Sequence, residues 1–112
     1  MEAKAKITFV LPDNLQRECR EQIIRDGYDM RGKSKWIIEG IEQLLALRNY
    51  PELVHLNDEM KGFEKLESVV ISKSLKKFLD AAIIHVRRTY PAMEGVQSRI
   101  FRTAILQRLL RS

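Results

Sequence analysis

The chain has 112 residues, of which 45% are hydrophobic and 31% are charged, so it can form one domain with a buried core and is not a disordered chain. No apolar run approaches the ~20 residues of a membrane span, and the N-terminal residues lack a signal-peptide pattern, so we expect a cytoplasmic protein with no membrane partner. The single cysteine, Cys19, excludes an internal disulfide and a multi-cysteine metal site. The net charge of +5 falls entirely within residues 57–112, which favours an acidic partner, with nucleic acid first.

The first half of the chain predicts one strand and two helices. Residues 7–11 are rich in β-branched and aromatic types, and Pro12 ends this strand. Asp13 or Asn14 is a candidate N-cap for an amphipathic helix with Gly27 as its C-cap. Ser34 is the candidate N-cap of a second helix that runs to about residue 48. The apolar positions of the two helices are Leu15, Cys19, Ile23, Ile37, Ile41, Leu44 and Leu45.

The same order returns in the second half. A linker over 49–66 contains Pro51, which suits the first position of a short helix. Residues 68–72 predict a second strand, and Ser74 is a candidate N-cap for the helix that follows. A break at Pro91 and Gly95 precedes a last helix with Ser98 as its candidate N-cap.

The two halves are an internal repeat. An offset of 60 places Phe9, Val10 and Leu11 on Val69, Val70 and Ile71, and an offset of 64 aligns the last helix of each half. One copy alone leaves its strand without a hydrogen-bond partner, so we expect the two strands to pair antiparallel. The predicted fold is mostly α with a two-stranded antiparallel ribbon. Residues 1–112 form one globular domain, in which units 5–48 and 67–111 make a pseudo-dimer joined by the linker 49–66.

Alternation along the strands divides the ribbon into two faces. Ile7, Phe9 and Leu11 are predicted to face the core together with Val69 and Ile71. The outer face then carries Lys6, Thr8, Val10, Ser68 and Val70. A two-stranded ribbon fits a DNA major groove, where lysine, hydroxyl and methyl groups contact base edges. The alternative is an ordinary solvated strand face.

The N-termini of the last helix in each half carry basic side chains, which oppose the helix dipole unless an anion binds there. We predict phosphate contacts at both N-termini, from the six residues Lys33, Ser34, Lys35, Gln97, Ser98 and Arg99. The alternative is that these long side chains point into solvent.

No pattern indicates catalysis. His55 and His85 lack ligand spacing and a nearby carboxylate cluster, and the chain has no glycine-rich phosphate loop. We therefore expect no catalytic residues, no metal site and no cofactor. Cys19 is predicted to fill the core, and Trp36 is either core or exposed apolar surface.

The strand-helix-helix order with a shared ribbon resembles the ribbon-helix-helix (MetJ/Arc/CopG-like) DNA-binding superfamily. The strand KITFVLP at 6–12 is similar to the family's base-reading strand, and SKWIIEGI at 34–41 and SRIFRTAI at 98–105 are similar to its second-helix signature. The resemblance implies a sequence-specific double-stranded DNA-binding protein. Two copies in one chain resemble the tandem TraY/VirC2-type accessory proteins of conjugative and T-DNA transfer systems.

This tandem resemblance implies either a relaxosome accessory factor or a transcriptional regulator. The partners implied are double-stranded DNA, a relaxase or other DNA-transfer protein, and neighbouring copies bound side by side on DNA. The alternative function is a protein-interaction module, such as an antitoxin-like partner that uses Trp36 or the linker. The second copy departs from the family pattern, because Glu67 stands where Ile7 does and Ser72 where Pro12 does. This departure predicts that the second strand begins later and makes fewer base contacts.

Overall fold

A computed structural model describes residues 3–57 and 63–111. Five α-helices and one antiparallel pair of strands make up the regular structure of these residues, with a single 3₁₀ turn at Met30–Gly32. The elements in chain order are β1 (Lys4–Pro12), α1 (Asp13–Arg25), α2 (Lys33–Leu45), α3 (Tyr50–Leu56), β2 (Glu64–Ser72), α4 (Lys73–Thr89) and α5 (Val96–Leu110). The predicted fold class, mostly helical with a two-stranded antiparallel ribbon, is confirmed.

The register of the ribbon follows the internal repeat. Thr8 lies opposite Ser68, and these are the two residues that the offset of 60 makes equivalent. Both strands are nine residues long and start 60 residues apart. The expectation that the second strand begins later is therefore wrong. Glu67 is accommodated on the inner face because cationic side chains neutralise its carboxylate there.

The crossing of α2 and α5 beneath the ribbon also brings together residues that are equivalent in the two halves. α2 and α5 approach closely at Gly40, where an added Cβ would lie 3.4 Å from the backbone oxygen of Ala104. The offset of 64 makes Gly40 and Ala104 equivalent. Equivalent small residues of the two halves thus face each other at the centre of the molecule.

Inward-facing ribbon residues and the apolar stripes of the helices form one core. Ile7, Phe9, Leu11, Val69 and Ile71 are all buried, as alternation predicts. The largest fully buried side chains are Trp36, Phe9, Phe101, Leu11, Ile23, Ile37, Ile41, Leu44, Ile71, Leu79, Ile100 and Ile105. The rings of Phe9 and Phe101 stack 4.2 Å apart, which fastens β1 to α5.

Trp36 belongs to this core, and the alternative of an exposed apolar surface is wrong. Its side chain is 0% exposed. Its indole Nε1 donates to Asp26 Oδ2 at 2.8 Å, and the Arg108 guanidinium lies 4.5 Å from the ring centroid. The hydrogen bond satisfies the indole N–H, as a buried tryptophan requires, and the guanidinium makes a cation–π contact with the face of the ring.

The four serine and acidic N-cap predictions for the helices are corrected. α2 begins at Lys33 with Gly32 as N-cap, and α5 begins at Val96 with Gly95 as N-cap, so Ser34 and Ser98 lie inside the first turns. α1 has Pro12 as N-cap, so neither Asp13 nor Asn14 takes that position. The N-cap of α4 is Ser72 rather than Ser74, and its side chain accepts a hydrogen bond from the N–H of Leu75 at 3.2 Å.

The ends of the helices and the linker follow local turn chemistry. Gly27 has φ +85°, and the N–H groups of Gly27 and Tyr28 donate back to Ile24 and Ile23, which closes α1 with a Schellman motif. α2 ends at Leu45, earlier than predicted. The short helix predicted at Pro51 is present as α3, and the middle of the predicted linker, 58–62, lies outside the described residues.

In the described part of the chain no helix is long and apolar enough to span a membrane.

Candidate nucleic-acid interface

The outer face of the ribbon is exposed along most of its length. Lys6 and Thr8 are exposed, and Val70 is 46% exposed. Val10 and Ser68 are half-buried, and Leu66, which was not among the predicted contacts, is 71% exposed. Cross-strand neighbours on this face are Lys6 with Val70, Thr8 with Ser68, and Val10 with Leu66. The face therefore offers ammonium, hydroxyl and aliphatic groups in three successive rows.

Two reciprocal hydrogen bonds attach a helix N-terminus to each end of the ribbon. The backbone N–H of Val10 donates to Ser98 Oγ at 3.0 Å, and the N–H of Val70 donates to Ser34 Oγ at 3.1 Å. The two donors are equivalent by the offset of 60, and the two acceptors by the offset of 64. Each serine therefore positions the N-terminus of its own helix beside the strand of the other half. This role for the two hydroxyls was not predicted.

Lys33 is held beneath the ribbon by a buried carboxylate. Its Nζ lies 2.6 Å from Glu67 Oε1, and Arg20 Nη2 lies 3.2 Å from Glu67 Oε2. The Glu67 side chain is only 5% exposed. Burial alone would raise the pKa of Glu67. The hydrogen bond and charge of Lys33, the N–H of Ser68 and the charge of Arg20 outweigh burial and hold that pKa below its ordinary value.

The remaining predicted phosphate ligands differ in what they contact. Gln97 Nε2 donates to the carbonyl of Thr8 at 3.0 Å, and so supports the ribbon backbone. Arg99 Nη2 donates to the carbonyls of Val54 and His55 at 3.3 and 2.9 Å, at the C-terminus of α3. Lys35 is exposed, with its Nζ 6.0 Å from the ring centroid of Tyr28. Of the six predicted ligands, Lys35 is thus the most accessible to an anion.

Sequence patterns gave no signal for the supporting role of Arg102. Its side chain is 9% exposed, and Nη1 donates to the carbonyl of Val10 at 3.2 Å. Burial, with the neighbouring charge of Arg99, lowers the pKa of this guanidinium, and the charge of Glu64 acts in the opposite direction. A positive side chain therefore lies directly under the end of the ribbon that carries Val10.

The two histidines take part in ring contacts. The ring of His55 stacks on Tyr90 with centroids 4.1 Å apart, and His85 Nδ1 lies 2.9 Å from the hydroxyl of Tyr50. Within 3–57 and 63–111, no group of three or more His, Cys, Asp or Glu side chains is arranged to hold a metal ion. Burial, together with the Glu67 charge, raises the pKa of the Cys19 thiol to about 12.

Comparisons with protein-family models, with curated proteins and with solved structures gave no significant match.

Proposed function

We propose that this chain is a sequence-specific double-stranded DNA-binding protein made of two ribbon-helix-helix units that form a pseudo-dimer. In this proposal the ribbon enters the major groove, and the N-termini of α2 and α5 face the phosphates on either side. The protein acts without catalysis, in the cytoplasm, as a relaxosome accessory factor beside a relaxase or as a transcriptional regulator.

The observation that carries the proposal is the pair of serine hydrogen bonds, Val10 with Ser98 and Val70 with Ser34. They join each strand to the second helix of the other unit, so that neither unit is complete alone. They also place two helix N-termini, each the positive end of a helix dipole, beside an exposed ribbon. A DNA duplex matches this arrangement, because its major groove lies between two rows of phosphates.

The meeting of equivalent residues supports the pseudo-dimer. Thr8 lies opposite Ser68 in the ribbon, and Gly40 faces Ala104 at the helix crossing. In a dimer with twofold symmetry, residues on the axis meet their own copies. Two such meetings, in different layers of the molecule, support an approximate twofold axis that passes through the ribbon and the α2–α5 crossing.

In this proposal, different groups position the helix ends, contact the phosphates and contact the bases. Ser34, Ser98 and Lys33 already hold the ribbon or Glu67, so their part in phosphate binding is to position the helix ends. Phosphate charge is then met by backbone N–H groups and by Lys35. Base discrimination is assigned to the outer ribbon face, since phosphate contacts position a protein whereas base contacts specify the sequence.

The test has two steps. A DNA duplex that the protein binds is first selected from a random pool, and the affinity for that duplex is then measured by fluorescence anisotropy at several salt concentrations. Thr8→Ala should reduce the preference for the selected duplex over random duplex. Lys35→Ala should weaken binding to the selected duplex and to random duplex by the same factor. It should also reduce the slope of log affinity against log salt concentration by about 1. Arg88→Ala is the matched control, because it removes an exposed cation fifteen residues into α4, about 22 Å along the helix from its ribbon end.

A pool in which no sequence is enriched, with binding that does not weaken as salt rises, would refute the proposal. That result would favour the second candidate, a protein-interaction module. Phe78 favours this alternative, since it is 60% exposed and borders two shallow cavities of about 310 and 240 Å³ beside Leu45. If DNA is the ligand, Phe78→Ser should leave the duplex affinity unchanged.

A further inference from the structure

We infer that the two ends of the ribbon contact different bases, so that the protein binds an asymmetric DNA site in one orientation. The lysine end, which carries Lys4 and Lys6, faces guanine-containing pairs, and the aliphatic end, which carries Val10 and Leu66, faces thymine methyl groups. This inference rests on the proposed function and adds to it the class of base at each end.

The lysine end combines hydrogen-bond donors with positive charge. Lys4 and Lys6 are exposed on the outer face, opposite Ser72 and Val70. An ammonium group donates and never accepts, and guanine offers two acceptors, O6 and N7, on its major-groove edge. The hydrogen bond between Val70 and Ser34 places the N-terminus of α2 at this same end. Exposed cations on the adjoining segments are Arg31, Lys35 and Lys73.

The aliphatic end offers no donor side chain on its outer face, and its exposed Lys65 belongs to the opposite face of β2, paired with Leu11. Leu66 is 71% exposed and lies opposite the half-buried Val10. Such groups match the thymine C5-methyl and leave guanine acceptors without a partner. Glu64, exposed at the tip of this end, carries an acceptor-only carboxylate that repels guanine O6 and N7. Glu94, also exposed, precedes the N-terminus of α5 at this end.

Two positions account for the difference between the ends. The offset of 60 pairs Val10 with Val70 and Thr8 with Ser68, which are alike in kind, but it pairs Lys6 with Leu66 and Lys4 with Glu64. Successive rows on the outer face are about 6.8 Å apart, which is about two base pairs along the groove. The rows of Lys6 and Leu66 therefore address bases about four pairs apart.

The first experiment compares sites selected from random duplex by the natural chain and by Leu66→Lys. The natural chain should select a non-palindromic site with guanines at one edge and thymines at the other. Leu66→Lys makes the Lys6 and Leu66 rows alike, with one lysine and one valine in each, so it should select guanines at both of these rows and bind that site at least about tenfold tighter than the natural chain does. Leu47→Lys is the matched control, because it adds the same charge to another exposed leucine, which lies just beyond the end of α2 that is about 20 Å from the ribbon.

The second experiment measures orientation directly. Glu94→Cys places an exposed thiol beside the N-terminus of α5, where an iron chelate that cleaves DNA can be attached. Cys19 is buried and stays unlabelled. Cleavage should occur only on the thymine side of the selected site.

The outcomes separate this inference from the proposed function. An inverted repeat selected by the natural chain, or equal cleavage on both sides of the site, overturns the inference and leaves DNA binding in place. A guanine preference that survives the double substitution Lys4→Ala with Lys6→Ala also overturns it. Failure of every variant to bind any duplex overturns both.

Discussion

Replacing Lys33 with methionine should destabilise the protein much more than replacing Glu67 with isoleucine. Both substitutions break the same 2.6 Å ion pair, but they leave different groups behind. Lys33→Met leaves a carboxylate that is 5% exposed, whereas Glu67→Ile leaves an ammonium whose side chain is 21% exposed and can extend into water. The isoleucine also restores the residue type that Ile7 provides at the equivalent position of the first unit.

The magnitudes follow from the remaining contacts. Removing one partner of a buried ion pair costs about 3–5 kcal/mol, because the other charge stays buried. Arg20, 3.2 Å from the same carboxylate, compensates part of this loss, so we expect about 2–3 kcal/mol for Lys33→Met. For a chain of this length that lowers Tm by roughly 10–15 °C. Glu67→Ile should change the free energy of unfolding by less than about 1 kcal/mol in either direction.

Urea denaturation followed by circular dichroism at neutral pH measures these values. The double variant, Lys33→Met with Glu67→Ile, should be more stable than Lys33→Met alone. The double-mutant cycle should therefore give a coupling energy of about 2 kcal/mol between Lys33 and Glu67. Lys35→Met is the matched control on the same helix, and it should cost less than about 0.5 kcal/mol because Lys35 is exposed. If Lys33→Met and Lys35→Met unfold at the same urea concentration, the ion pair does not stabilise the fold and the reasoning is refuted.

Three further predictions concern the core and its ionisable groups. Ile41→Asp places an unpaired charge where the native side chain is 2% exposed, and it should abolish the cooperative melt; a native-like melt would show that Ile41 is not core. Cys19, with its pKa raised to about 12, should react with a disulfide reagent near pH 8 at least about 100-fold more slowly in the native chain than in urea; equal rates would contradict its burial. The lowered pKa of Glu67 means that its stabilising contribution is present above about pH 4.3 and is lost as pH falls through the folded-state pKa. Glu67→Ile should therefore make the acid side of the stability profile less steep, and an unchanged slope measured by urea denaturation would disprove this origin.

Local patterns were sufficient for the type and order of the elements, though not for all of their ends, and for the two faces of the ribbon. Alternation over β1 identified Ile7, Phe9 and Leu11 as buried, and the exposure of Lys6 and Thr8 follows from the same period of two. The presence of one strand in each half also led to the expectation of an antiparallel pair, which is confirmed, because a strand with no neighbour in its own half needs a hydrogen-bond partner in the other. Contact of these outer residues with bases stays a prediction.

The partners of individual polar side chains could not be obtained in this way. Ser34 and Ser98 look like helix N-caps in the sequence, but their hydroxyls accept from backbone N–H groups 36 and 88 residues away. Lys33 looks like a phosphate ligand until the fold brings Glu67 against it from 34 residues away. Trp36 remained ambiguous because its position flanks the predicted apolar stripe of α2.

The sequence by itself determined the periodic features of this protein: the strands, the helices, the repeat and the inner and outer faces of the ribbon. These depend on burial along one element, and burial leaves a regular trace in the order of residue types. Only the tertiary structure decided which cations remain free for an anion and which are held by the protein itself. Such pairings join residues far apart in the chain, and hydrogen bonds and ion pairs of this kind leave no period in the sequence.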